Sequence, residues 1–401
     1  MLDLLKGIKI LDFTTVVLGP YATQILGDLG AEVIKVEPVA GDGFRAVRPG
    51  HHPAMGAGYL NLNRNKRSLA IDVKNEAGLE IVDRLVGKAD VVVHNMRAAS
   101  ADRLGIGFDR LRTVNPGIAC CYTAGFGVEG RDRGEPAYDD IIQARSGLAA
   151  LNSNSAGEPR FVSTIIADKV GGLHLAIAAL AAIVRQQRTG EPVEVEAPMF
   201  ESLVSFMMVE QLAGKTFDPP LGGMGYERLL SPYRKPYRTK DGFVALLPYN
   251  TRQWVRFMQI IGRDDMADAS ILTDPVERSR NIDTLYAIME NAVALRTTGE
   301  WLDIMRENDI PCSSVNALDD LMADDHLADV GLFERVEHPS EGSTIAVRSP
   351  FRSGTADRDR PAPRLGADAR QILEECGVSH DRIAELKAAG VIAMPMHEGA
   401  D

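Results

Sequence analysis

Ile8–Phe13 (IKILDF), Gly19-Pro20, Tyr21–Leu29 (YATQILGDL), Gly30 and Ala31–Glu37 (AEVIKVE) form the stretch on which the fold turns. The first run is short and apolar, interrupted by Lys9, and reads as a buried strand. Pro20 suits the start of a helix, because the N–H it lacks would be unbonded there anyway. Tyr21, Ile25, Leu26 and Leu29 share one helical face, Gly30 stops that helix, and Ala31–Glu37 is the next strand. The pattern repeats as strand Ser68–Val73, helix Glu76–Val86, strand Val91–His94, helical Ala101–Val114 and strand Ile118–Thr123. Alternation of this kind predicts an α/β fold with a doubly wound, Rossmann-like, mostly parallel sheet.

Further along, Leu173–Val184 reads as a helix stopped by Thr189-Gly190, Pro192–Ala197 as a strand, and Pro198 as the start of a helix reaching Leu212. Asp218-Pro219-Pro220 and Gly222-Gly223-Met224-Gly225 mark a linker. Beyond it lie a hairpin over Arg238–Leu247, turning at Asp241-Gly242, and helices at Trp254–Gly262 and Trp301–Asn308. From His338 the chain is strand-like, then Pro-rich at Arg360–Pro363, then amphipathic and helical from Ala367. The expected organisation is a large domain over 1–215, a smaller α+β domain over 216–330, and a segment over 331–401 that packs back on the large domain. The two Pro/Gly-rich stretches would permit that return.

Composition narrows the function. The 401 residues are 45% hydrophobic, 25% charged and 6% aromatic, the proportions of a soluble globular protein. With 44 basic against 56 acidic residues the net charge is −12, which disfavours nucleic acid and membrane surfaces as partners. Cys120, Cys121, Cys312 and Cys376 have neither zinc spacing nor a disulfide framework, so a reducing cytoplasm is expected. The N-terminus does not read as a secretory signal, and the apolar run Val170–Val184 falls short of the ~20 residues of a spanning helix. The turn Thr14–Pro20 lacks G-x-G-x-x-G, which argues against nicotinamide or flavin. His51-His52 has no third ligand nearby, so no metal is expected.

Asp168 stands between the apolar run Phe161–Ala167 and the helix beginning near Val170, beside Gly171-Gly172. An aspartate there reads first as an ordinary N-cap. The glycine pair, costing roughly 1 kcal/mol each within a helix, asks for more: a backbone or ligand approaching closely. A carboxylate kept ionised by the helix N-terminus would suit nucleophilic work.

Ordered motifs then carry a resemblance. Asp12-Phe13-Thr14, Gly19-Pro20 and Leu26–Glu37 are followed by Asn63–Ser68, Ala89–Asn95, Arg103-Leu104-Gly105 and Gly125-Phe126-Gly127. Next come Tyr138-Asp139-x-x-x-Gln143-Ala144-x-Ser146-Gly147, Asp168 with its glycines, Arg188-Thr189-Gly190, Ile310-Pro311-Cys312 and Ala362–Gly366. Together these resemble the class III CoA-transferases, the group of the formyl-CoA:oxalate and carnitine enzymes. The resemblance implies that Asp168 attacks an acyl-CoA thioester and passes through aspartyl anhydride and aspartyl-CoA intermediates. Coenzyme A is then a co-substrate, its acceptor a free carboxylic acid such as a small dicarboxylate. It also implies that Val16 and Val17 approach the pantetheine and thioester, and that Tyr138 lies near the reacting centre. Ile71, Lys74, Asn95, Met96, Arg103 and Leu104 match positions around the nucleotide, with Lys74 and Arg103 suited to its phosphates. An interlocked homodimer is implied as well.

Two departures accompany the resemblance: Pro38 stands where some relatives carry a basic CoA contact, and Val17 replaces a polar residue, leaving oxyanion support to backbone N–H groups. The alternative is an α-methylacyl-CoA racemase of the same fold. Those enzymes resemble this chain but carry Gly-His-Asp where it has Ala137-Tyr138-Asp139, and a phenol, with a pKa of about 10, is a poor general base at neutral pH. Arg145, Arg160, Tyr226, Arg228 and Arg234 each suit a dicarboxylate's distal acid, and the sequence does not choose among them. Gly222–Gly225 reads as a linker turn before it reads as a lid.

Overall fold

The apolar runs of the first half become six parallel strands: β1 (Lys9–Phe13), β2 (Glu32–Glu37), β3 (Lys66–Ile71), β4 (Val91–His94), β5 (Ala119–Tyr122) and β6 (Val193–Glu196). They pair in the order β3-β2-β1-β4-β5-β6 in a computed structural model that describes residues 1–154, 156–353 and 359–395. The short strand Ile392–Ala393 adds antiparallel to β3 at the edge. The molecule is thus mixed α/β with a large parallel sheet, as the alternation predicts. β3, β4 and β5 are buried throughout, as strands of a parallel sheet covered on both faces should be.

The helices that matter here are α1 (Leu18–Asp28), α2 (Glu76–Val86), α3 (Ala98–Arg103), α4 (Asp139–Arg145) and α5 (Ile166–Thr189). Met1–Met207 and the described residues from Gly331 onward form one unit, and Met208–Val330 form the other. In the first unit, Leu11, Phe13, Val36, Leu69 and Val92 from the sheet pack with Ile81, Val82 and Leu85 of α2. The C-terminal helices Ala369–Glu375 and His380–Ala388 add Ile372, Leu373, Ile383 and Leu386 to the same core.

Some boundaries differ from expectation. Strand β3 starts at Lys66 rather than Ser68, because the Lys66 and Arg67 charges are paired internally and so can enter the sheet. The helical stretch Ala101–Val114 is broken at Gly105, whose φ of +74° ends α3 and separates it from a second helix, Phe108–Val114. Helix α5 begins at Ile166 rather than Leu173 and takes in both glycines. A Cβ on Gly171 would lie 2.8 Å from Leu18 Cδ1, and one on Gly172 would lie 2.7 Å from Leu18 O. The close approach is therefore that of α1, and the packing offsets the poor helix propensity.

With 24 residues, α5 is long and apolar enough by length and composition to cross a membrane, which corrects the shorter estimate. Here Val170, Leu175, Ala176, Ala179, Ala182 and Ile183 are buried within the unit, as in a core helix. It ends at Gly190, at φ +69°, where the Thr189-Gly190 stop was expected.

The second unit has an antiparallel sheet of β7 (Tyr237–Arg238), β8 (Phe243–Leu246) and β9 (Cys312–Ser314). Helices α6 (Thr251–Ile260), α7 (Pro275–Arg280), α8 (Ile282–Val293) and α9 (Thr298–Glu307) surround a core of Trp254, Phe257, Tyr286 and Trp301.

Candidate active site

In an open parallel sheet the crevice forms at the carboxyl ends of the strands, where the strand order reverses. Here that point lies at β1, with β2 on one side and β4 on the other. A cleft of about 350 Å³ opens there, lined by residues that follow β1, β4 and β5 together with Tyr138 and Asp168. It brings together Val16, Val17, Asn95, Met96, Tyr138 and Asp168, and adds Thr15, Arg97, Ser100 and Glu135, which sequence reasoning did not single out.

The floor is the turn from β1 into α1. Val16 sits at φ +69°, a left-handed conformation that costs a β-branched residue of order 1–3 kcal/mol. Its surroundings hold it there. The Val16 N–H donates to Asp42 Oδ1 (3.1 Å), and Lys35 Nζ donates to both Asp42 Oδ2 (2.9 Å) and Thr14 O (2.8 Å). The Asn95 side-chain amide clamps the neighbouring residue both ways, accepting from Thr15 N (3.0 Å) and donating to Thr15 O (2.8 Å).

Beneath the turn, Asp12 accepts from Thr14 N, Thr23 Oγ1 and Lys66 Nζ, while Glu37 pairs with Arg45. Burial alone would raise the Asp12 carboxyl, but Lys66 and Lys35 hold it below the ordinary carboxylate range. Burial draws Lys66 down to about 8, against the opposing pull of Asp12.

This floor narrows one expectation. The Val16 N–H is engaged by Asp42, so it is not free for a ligand, and the free backbone N–H groups of this turn are those at the start of α1. That helix has no side-chain cap and no acid in its first turn, and Val17 and Leu18 line the cleft.

Asp168 is not an N-cap. Ile165 occupies that position, and Asp168 lies in the first turn of α5. Its N–H donates to Asp139 Oδ1 (3.0 Å), so the acid that caps this turn comes from α4. Gln143, one turn along α4, donates from Nε2 to Asp139 Oδ2 (2.5 Å) and accepts at Oε1 from Val162 N (2.9 Å), which fixes Asp139 in place. Among the described residues no group donates to the Asp168 carboxylate.

Burial first, and the Asp139 charge second, push the Asp168 carboxyl up to about 6. Desolvation and a like charge thus outweigh the dipole of the helix N-terminus, which does not hold the carboxyl in the ordinary range. At neutral pH the group is still mostly ionised and more basic than an ordinary aspartate.

The other expected contacts are spread out. Arg103 is exposed and donates to Ser100 Oγ (3.0 Å) at the rim of the cleft. Lys74 is exposed beyond β3, outside the cleft lining. Ile71 is buried in the sheet opposite Ile392, and Leu104 packs against the core. Asp12, Lys35, Lys66, Asp139 and Gln143 stand within the resembling motifs but had no role assigned from sequence, and they share one signal: charged residues inside apolar strands, together with the Asp139–Gln143 spacing of one helical turn. Among the described residues no group of three or more His, Cys, Asp or Glu is placed to hold a metal ion.

An uncapped helix start and a basic carboxylate thus share one crevice at the carboxyl edge of the parallel sheet. Comparison with known proteins makes the class specific. The profile of CoA-transferase family III matches residues 5–369, and the chain belongs to this family. It is a CoA-transferase, and the family's co-substrates are CoA thioesters.

Among its relatives is the Homo sapiens succinyl-CoA:glutarate CoA-transferase, 31% identical over 396 residues, covering 97% of this chain and 90% of that one. A Rhodopseudomonas palustris (strain BisA53) formyl-CoA:oxalate CoA-transferase is 28% identical over 428 residues, covering 100% of both chains. Among solved structures, the orthorhombic form of Rv3272 from M. tuberculosis superposes with a TM-score of 0.80 at 27% identity, covering 92% of this chain and 99% of that one. A CAIB/BAIF family protein from Brucella suis superposes with a TM-score of 0.77 at 26% identity, covering 93% and 99%.

Proposed function

We propose that this enzyme moves CoA from an acyl-CoA donor to a small dicarboxylate, with Asp168 as the nucleophile. A single observation carries the assignment: Asp168 lies in the cleft at the first turn of α5, no described donor satisfies its carboxylate, and its basicity is raised. One carboxylate oxygen attacks the thioester carbon, the C–S bond breaks, and CoA thiolate leaves behind a mixed anhydride. The thiolate attacks the Asp168 carbonyl of that anhydride, releasing the donor's acid and forming an aspartyl-CoA thioester. The acceptor carboxylate then displaces thiolate to give a second anhydride. Finally the thiolate attacks the acceptor's carbonyl, so that acceptor-CoA departs and Asp168 is regenerated. Protons are neither taken up nor released overall.

Fixed orientation supplies most of what a weak nucleophile lacks, and the cleft must shield both anhydrides from water. In this reading the uncapped start of α1 supports charge developing on the thioester oxygen. Val16, Val17, Asn95, Met96 and Tyr138 flank the pantetheine arm, and Arg103, Lys74, Ile71 and Leu104 belong with the nucleotide. The relatives named for succinyl-CoA:glutarate and formyl-CoA:oxalate transfer support a short dicarboxylate as acceptor. An interlocked homodimer working in the cytoplasm completes the proposal.

The test is made in D₂O. Purified protein is mixed with acetyl-, succinyl- and a branched acyl-CoA plus a panel of carboxylic acids, and the CoA esters are resolved by mass spectrometry. New esters without deuterium are expected, and none with Asp168→Ala. Deuterium entering the α-carbon of the branched donor without a new ester would replace this reading with the racemase.

A further inference from the structure

The unit formed by Met208–Val330 contains two arginines, Arg228 and Arg278, whose charges act on one another. The Arg228 guanidinium carbon lies 5.8 Å from the Tyr249 ring centroid. Arg278, only 8% exposed, donates from Nη1 to Thr251 Oγ1 (2.9 Å) and to Leu272 O (2.6 Å). Both guanidiniums therefore converge on Tyr249–Thr251, the segment that leads into the N-terminus of α6. After burial itself, the charge of Arg228 draws the Arg278 pKa down, with Asp274 opposing it, so the two cations feel one another.

Neither forms an ion pair among the described residues. The acids on neighbouring elements are engaged elsewhere. Asp274 accepts from Val276 N (2.7 Å) and Glu277 N (3.2 Å) at the start of α7. Asp283 accepts from Ser231 Oγ (2.5 Å), and Glu277 pairs with Arg280 (2.8 Å).

The same neighbourhood holds buried polar atoms without hydrogen-bond partners: Arg228 Nε, Tyr286 Oη and Trp254 Nε1. Tyr286 is fully buried, its ring lies 6.1 Å from that of Trp254, and its phenol and that of Tyr226 flank the Arg228 guanidinium. Buried polar groups are nearly always satisfied, and uncompensated buried charge is costly. Beside two like charges, Arg228 Nε and the Tyr286 phenol thus keep hydrogen-bonding capacity that the described residues do not use.

We propose that Arg228 and Arg278, with the Tyr226 and Tyr286 phenols, form a binding site for a small carboxylate anion. The planar guanidinium of Arg228 matches a carboxylate through two parallel N–H donors, and the phenols supply further donors. Tyr226 and Tyr249 are 39% and 66% exposed, which leaves the site open to solvent. Of the five basic or phenolic candidates named from sequence, this favours Arg228 and Tyr226; Arg145, by contrast, is paired with Asp132 and stacked on Phe126. The proposal concerns binding alone and stands whether or not Asp168 is the nucleophile.

The test uses the full chain without any CoA ester, at low ionic strength. Binding of succinate, acetate and inorganic phosphate is followed by isothermal titration, and Tm is read with and without each anion. Saturable succinate binding and a succinate-dependent rise in Tm are expected. Arg228→Gln should weaken binding at least tenfold and abolish that rise, whereas a purely structural arginine would leave succinate binding by the folded variant unchanged. Arg228→Lys, which keeps the charge and loses the fork, should weaken binding to a lesser degree. The proposal fails if succinate does not bind, if Arg228→Gln binds as the wild type does, or if phosphate binds and the carboxylates do not. Loss of binding in Asp168→Asn but not in Arg228→Gln would place the anion in the cleft and overturn it equally.

Discussion

Asp12 and Asp168 belong to the same unit, and their environments are opposite. Asp12 is completely buried yet held below the ordinary carboxylate range, because Lys66, Lys35, Thr14 and Thr23 all face it. Asp168 is only partly buried, yet burial first and the Asp139 charge second push it up to about 6, with no described donor at its carboxylate to offset them. Burial raises both acids, and whether paired cations offset it decides where each one settles. The floor pairs its charges and so can hold Val16 in a costly backbone conformation. The mouth leaves the Asp168 carboxylate without a described donor, and its basicity stays raised.

The sharpest way to break this contrast is to unpair the floor. Lys66→Met leaves Asp12 buried without its main partner and should destabilise the fold by about 3–5 kcal/mol, measured by urea unfolding. A loss below about 1 kcal/mol would mean that the hydroxyls of Thr14 and Thr23 suffice for Asp12 and that the contrast with Asp168 is overdrawn.

Neutralising the mouth should act in the other direction. The folded-state pKa of Asp168 is raised from 3.8 to about 6, so its contribution to stability is fully present below the unfolded value and is lost as pH rises through 6. Asp168→Asn should therefore be more stable than wild type at pH 8 by up to about 3 kcal/mol. The advantage should shrink towards pH 4. Thermal unfolding across that range checks both the sign and the window, and an advantage independent of pH would assign the gain to something other than this charge.

The smallest expected effect is the finest probe. Because burial ranks ahead of Asp139 in raising Asp168, Asp139→Asn should move the acid limb of the pH–rate profile below 6 without returning it to an ordinary aspartate's range. An unmoved limb would remove Asp139 from the electrostatics and leave it as a backbone anchor only.

Much of the site was legible in the sequence because it rests on local rules. Strand–helix alternation from Ile8 to Glu37 placed a turn at Thr14–Pro20, and in a parallel sheet that turn lies on the carboxyl edge, where ligands bind. Asp168 was visible as an acid at an apolar helix start beside two glycines. Its chemical state was not, since Asp139 lies 29 residues away and reaches it only when α4 and α5 pack together. The glycine pair announced a close approach without naming the partner, which proved to be α1.

The sequence by itself determined the elements, the parallel sheet and the family, because hydrophobic periodicity and ordered motifs are properties of the chain as written. Only the tertiary structure decided which charges are compensated. Lys35, Lys66 and Asp42 look in the sequence like any solvated residues, and Arg228 and Arg278 stand 50 positions apart without sign of a relation. Whether a charge is quiet, strained or reactive depends on the few ångströms around it, and those neighbours are assembled from distant parts of the chain.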